Sequence, residues 1–150
     1  MLYKSLNFIN LFILSLLYLN FPKISIIIPI FNNKNLKECL DNLKYNSLKN
    51  IEIIGIIDKS TDKNFEILMK YIYDNRFIII NKKNYFLGDF INEGIKFVSG
   101  EYIGIIESNN IIDINMFENL YKLSFNNYID IIRYNYHLNK EKFFFLNLRY

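Results

Sequence analysis

The sequence has no alanine, no glutamine and no tryptophan, and only one cysteine, one histidine and two prolines. A single cysteine excludes a disulfide framework and any cluster of thiolate ligands. Cys39 falls in the stripe Leu36, Cys39, Leu40, Leu43, the spacing of one helix face, and reads as a buried, inert thiol. With no signal-cleavage pattern beside it, the lone thiol points to a reducing, cytoplasmic compartment. His137 has no motif around it, so it reads as a packing or solvent-facing residue rather than a base. Nothing resembles a Ser/His/Asp triad, a Cys/His metal cluster or a phosphate-binding P-loop.

Charge of one sign is not in large excess: the formal net charge is +3, and acidic residues are scattered among the lysines. That pattern excludes a dedicated nucleic-acid surface. Of 150 residues, 51% are hydrophobic and 22% charged, which fits one domain with a core and not a disordered chain. The wealth of Ile, Asn, Lys, Tyr and Phe reads as AT-rich coding bias, so an Asn at a surface position carries little information.

Ser5 to Phe21 holds no charge, and its apolar run Phe8–Leu19 is interrupted by Asn10. Seventeen uncharged residues lie at the lower limit for spanning a bilayer. Lys4 in front, and no small-residue cleavage site behind, argue against a secretory signal. Residues 1–21 are therefore expected to form a hydrophobic helix separate from the sheet. It could lie on the cytoplasmic face of a membrane, anchor there marginally, or pack on the domain or a partner.

After Pro22 the pattern becomes regular. Ile24–Ile30, Ile51–Asp58, Phe77–Asn81 and Glu101–Glu107 read as buried strands, with a fifth over Ile129–Tyr134. Helical stripes lie between them: Leu36–Leu43; Phe65, Leu68, Met69 and Ile72; Ile91, Ile95 and Val98, closed by Gly100; and Phe117, Leu120 and Ser124, capped by Asp113. The alternation predicts an α/β fold, a mainly parallel sheet with helices on both faces. One domain is expected over residues 22–135, followed by an aromatic, basic tail over 136–150 to which no structure is assigned. Polar residues collect at the carboxyl ends of the strands, where such sheets bind ligands. The first strand ends in Phe31-Asn32-Asn33, the second in Asp58 to Asp62, the third in Asn81 to Asn84 and the fourth in Glu107 to Asn110.

Several motifs occur in order: Ser25-Ile26-Ile27-Ile28-Pro29-Ile30-Phe31-Asn32, Glu38-Cys39-Leu40, Ile57-Asp58-Lys59-Ser60-Thr61-Asp62, Asn92-Glu93-Gly94, Gly100-Glu101-Tyr102-Ile103 and Ile112 to Phe117. Together they resemble the family 2 glycosyltransferases, which have the A-type glycosyltransferase fold. The resemblance implies transfer of a sugar from a nucleotide-diphosphate donor to a glycan or lipid-linked acceptor. It implies that Pro29, Phe31, Asn32, Asp58, Asn84 and Asn92 surround the nucleotide-sugar. Phe31 would lie beside the base, and Asp58 would accept hydrogen bonds from the nucleoside. A divalent metal, Mg²⁺ or Mn²⁺, would sit at Glu107 and Asn109, which align with the family's Asp-x-Asp.

Departures from the family pattern qualify the expected activity. Glu107-Ser108-Asn109 offers one carboxylate where the family has two, so metal binding is expected to be weak or lost. Tyr85-Phe86 stands where glycines are usual, and Ile91 replaces an arginine, which weakens diphosphate binding. Glu141 in the tail has no catalytic motif around it. The sequence therefore predicts a truncated or impaired glycosyltransferase. The alternatives are a non-catalytic remnant that binds a nucleotide or a partner, and a membrane-associated structural protein.

Overall fold

The computed structural model describes residues 21–31, 34–58, 62–82, 87–127, 129–135 and 142–147. The apolar N-terminal segment, with the helix expected there, lies outside these residues, as do His137 and Glu141. Among the described residues no helix is long and apolar enough to cross a membrane.

Isoleucine-rich runs form the centre. Strands β1 (Ile24–Ile30) and β2 (Ile51–Ile57) are buried at every position. β-Branched side chains on both sides of a strand leave no polar face, so both faces of the sheet must be covered. β3 (Phe77–Asn81) lies parallel to β2, and β4 (Tyr102–Ile105) lies parallel to β1 on its other side. With β5 (Ile131–Asn135) and β6 (Lys142–Asn147), the described residues form a six-stranded sheet in the order β3-β2-β1-β4-β6-β5. The segment to which the sequence assigns no structure thus supplies a strand. β6 runs antiparallel to both neighbours and separates β5 from β4. A run of consecutive aromatics carries no period, so periodicity does not reveal this strand.

Helices cover both faces, as the sequence predicts. α1 (Leu36–Lys44) and α2 (Asp62–Leu68) pack on one face. α3 (Leu87–Ile95) packs on the other, where Phe90 is buried among Ile27, Ile54, Ile56, Ile80 and Ile103. α4 (Met116–Asn127) joins α1 and α2 through Met116, Phe117 and Leu120. Before it, Asp113 accepts a hydrogen bond from Asn115 N at 2.7 Å. Cys39 is fully buried, and burial pushes its thiol up to about 12, consistent with an inert packing role.

Three details correct the sequence reading. α2 ends at Leu68, where the chain tightens: the Lys70 and Tyr71 amides donate to carbonyls three residues back. The tightening turns Tyr71 inward, where its hydroxyl donates to Asp41 at 2.7 Å, and leaves Met69 and Ile72 largely exposed. On α3 the buried stripe is Phe90 and Gly94, while Ile95 is exposed. A Cβ on Gly94 would lie 2.7 Å from Ile27 and 2.8 Å from Ile56, so glycine is what lets α3 sit this close to β1 and β2. Gly100 does not cap α3, which ends five residues earlier; it too allows a close approach, and a Cβ there would lie 2.7 Å from the Ser25 backbone nitrogen.

The C-terminal end of α3 is tied down twice. Beyond its C-terminus, Gly100 N donates to Ser25 Oγ at 2.8 Å, and Ser25 Oγ donates in turn to the buried Glu52 carboxylate. Ser99 donates to the same carboxylate through its backbone N–H and its hydroxyl. In the helix itself, Glu93 is buried and pairs with Lys96 at 2.6 Å and with Lys82, just beyond β3, at 3.1 Å. These hydrogen bonds, Lys96 first and then Lys82, hold the Glu93 carboxyl below the usual range.

Two expectations follow from these anchors. Gly100→Ala forces a methyl into backbone and lowers stability by about 1–3 kcal/mol in urea unfolding, with the slope unchanged. A carboxyl depressed on folding stabilises above its unfolded pKa of about 4.3, and that stabilisation is lost as pH falls through the lower folded value. Glu93→Gln therefore lowers the thermal midpoint at neutral pH, and the gap to the parent closes below about pH 4. A gap independent of pH would show that the charge of Glu93 contributes nothing.

Candidate functional site

The chain passes outward from β1 to β2 to β3, then returns to place β4 on the other side of β1. That reversal opens a crevice beyond the carboxyl ends of β1 and β4, the place where open parallel sheets bind ligands. Of the residues expected to bind a nucleotide-sugar, Phe31 and Asp58 lie along this rim on neighbouring strands.

Phe31 follows β1. It is 39% exposed, and its ring meets the buried Phe90 of α3 edge-on, with centroids 4.5 Å apart. That contact fixes the ring and leaves the rest of it open to a flat partner. Asp58 follows β2 and is half-buried. The β1–β2 register pairs Ile30 with Ile57, so Phe31 and Asp58 are the next level of the same ladder. Ile57 packs into the core on the α1–α2 face, and strand alternation turns Asp58 to the α3 face, the side on which Phe31 meets Phe90. Pro29 is buried inside β1, and Asn92 is exposed on the side of α3 away from Phe90 and Gly94. Asn32, Asn84, Ser60, Thr61, Tyr85 and Phe86 lie outside the described residues.

Glu107 and Asn109 follow β4. The Ile106 amide continues the ladder to Ile27 O, and Asn110 N closes a turn onto Glu107 O at 3.1 Å. Asp58 and Glu107 thus share one rim. Glu107 is exposed, Asn109 half-buried and Ser108 buried beneath the turn. The neighbouring Asn110 Oδ1 is enclosed and accepts no hydrogen bond among the described residues. Oxygen donors of this kind suit Mg²⁺ or Mn²⁺, but only Glu107 is a carboxylate, and the amide oxygens of Asn109 and Asn110 are enclosed rather than open to the crevice. No group of three or more His, Cys, Asp or Glu side chains able to hold a metal occurs among the described residues.

Sequence reasoning missed Phe90, which supports Phe31 and carries no polar signal, and placed Lys82 at the strand end only as part of Asn81 to Asn84. Lys82 follows β3, and its amide donates to Ile57 O at 3.0 Å, which sets it level with Asp58. A lysine in a lysine-rich chain does not stand out; the strand register singles it out. A separate cavity of about 590 Å³ lies between α4 and β5, lined by Met116, Leu120, Leu123 and Ile132 among others, and includes none of these rim residues.

Comparison with known proteins agrees with this geometry. The family model for Glycosyl transferase family 2 matches residues 25–149. Glycosyltransferase GlyA of Streptococcus pneumoniae is 35% identical over 117 residues, 77% of this chain and 17% of that protein. GlyG of the same organism is 36% identical over 76% of this chain and 39% of its own length. A Bacillus spizizenii poly(ribitol-phosphate) beta-glucosyltransferase is 37% identical over 73% of this chain and 18% of its own length. The chain thus spans well under half the length of these relatives. Among solved structures, S. aureus TarS residues 1–349 superpose with a TM-score of 0.72 at 22% identity, over 79% of this chain and 37% of that one. The same TarS fragment in complex with UDP-GlcNAc gives 0.67 at 21% identity, over 73% and 33%. The likeness to TarS carries the fold, an A-type nucleotide-sugar transferase sheet, and the family match carries the rest: the chain belongs to glycosyl transferase family 2.

Proposed function

We propose that this domain binds a nucleotide-diphospho-sugar on the rim formed by Phe31, Asp58, Glu107 and Asn109, as the donor-binding part of a glycosyltransferase. The observation that carries the reading is the common rim: an exposed ring, a carboxylate and a turn of oxygen donors lie on adjacent parallel strands at the point where strand order reverses. Phe31 lies against the base, and Asp58 accepts a hydrogen bond from the nucleoside. Glu107 and Asn109 hold a divalent cation, which when bound offsets the charge that develops on the departing diphosphate. The acceptor is a glycan or a polyol-phosphate or lipid-linked polymer, a reading supported by the poly(ribitol-phosphate) beta-glucosyltransferase among the relatives. Association with a membrane surface would place the domain near such an acceptor.

The single carboxylate at the turn sets the expected strength. Losing one charge-assisted contact costs about 1.5–3 kcal/mol, roughly 10–150-fold in affinity. Binding of UDP is therefore weak and responds only modestly to Mn²⁺.

Titration calorimetry with UDP, with and without Mn²⁺, tests this reading. Asp58→Ala abolishes the binding, and Asn109→Asp restores a second charge and makes binding more metal-dependent. Tight, strongly metal-dependent binding by the unsubstituted chain would show that Glu107 and Asn109 form a full-strength site. Indifference to both substitutions would remove the nucleotide from the rim.

A further inference from the structure

Ile57 pairs with Asn81 across β2 and β3, so the next level of the sheet runs Phe31, Asp58, Lys82 over three adjacent parallel strands. Such strands lie about 4.8 Å apart. All three residues are directed to the α3 face. Phe31 touches Phe90, Lys82 reaches Glu93, and Asp58 follows Ile57, which points the other way. The row is thus ring, carboxylate, ammonium, with Glu107 beyond the ring on β4. If the diphosphate lies at the Glu107 end, the far end of the row meets the base.

We propose that Lys82 is a specificity-determining residue for the nucleobase: its ammonium donates to a ring carbonyl oxygen next to the N–H that Asp58 accepts. A carboxylate beside an ammonium complements an imide edge, as in uracil, where an N–H is flanked by carbonyls. The inference rests on the donor reading above and assigns the base end of that site.

The ion pair on α3 makes this assignment workable. Lys82 is 41% exposed along its side chain, and its four-carbon stem is flexible. Glu93 is bound by Lys96 as well, at 2.6 Å, so it keeps a cation when Lys82 turns to a ligand. A buried carboxylate left without a partner would oppose that movement strongly. Glu93 is therefore a competitor of the base for Lys82 and not part of the binding surface.

NMR titration of the full chain with UDP, UMP and pyrophosphate reads weak binding directly. Lys82→Met is expected to weaken UDP and UMP alike, by about tenfold, and to leave pyrophosphate unchanged; Lys82→Arg retains part of the affinity. Glu93→Gln keeps the ammonium and removes its competitor, so uridine nucleotides bind as well as before or more tightly. Unaltered UMP affinity in Lys82→Met overturns the proposal, as does a loss confined to pyrophosphate and UDP. A loss in Glu93→Gln as large as in Lys82→Met also overturns it, since the pair would then only hold the rim in shape. If Asp58→Ala abolishes binding while Lys82→Met does not change it, the inference about Lys82 fails alone. If the unsubstituted chain binds neither nucleotide, the donor reading fails with it.

Discussion

The close approach of α3 to β1 and β2 is the contact on which the rest of the molecule depends. It exists because position 94 has no side chain: any Cβ there would overlap Ile27 and Ile56. Seated at that depth, α3 buries Phe90 against the sheet, and Phe90 in turn fixes Phe31. In its last turn the helix also brings Glu93 within reach of Lys82, and just beyond it delivers Ser99 and Gly100 to Ser25 and Glu52. One packing distance therefore sets the orientation of the rim above and of the polar brace below.

The strands were legible because they are chemically extreme. A run such as Ile26-Ile27-Ile28 can be satisfied only where both faces are covered, so the parallel layer and its two-sided helical cover follow from composition alone. The ends of those strands were legible as well, since Asp58 and Glu107 interrupt apolar runs where parallel sheets present ligand sites. What could not be read is set by tertiary register. The exchange of Tyr71 for Met69 and Ile72 comes from a turn that tightens by one residue. The placement of Lys82 beside Asp58 comes from pairing between strands far apart in sequence. β6 escaped because consecutive aromatics fit a strand, a helix or a loop equally well.

The rim divides its labour by charge. Toward β3 it offers a ring, a carboxylate and an ammonium, groups suited to recognising a neutral base by shape and hydrogen bonding. Toward β4 it offers a single carboxylate beside enclosed amide oxygens, which suit a cation but hold it with less charge than a carboxylate pair. On the proposed reading, recognition of the nucleoside and stabilisation of the diphosphate would fall to separate ends of the rim.

The insertion of β6 has a consequence for how the protein is made. β4 reaches its sheet neighbour only through residues such as Asn147, which pairs with Tyr102, whereas β5 is synthesised earlier and takes the outer place. On a ribosome the four parallel strands emerge first, and β4 exposes a bare row of amides and carbonyls until the last of these residues arrives. Such an edge recruits any strand nearby. Closure across a long loop is also slow. The nascent domain thus passes through an interval in which its own missing strand competes with strands of neighbouring chains. The yield of folded protein should accordingly depend on concentration and on chaperones that shield open sheet edges.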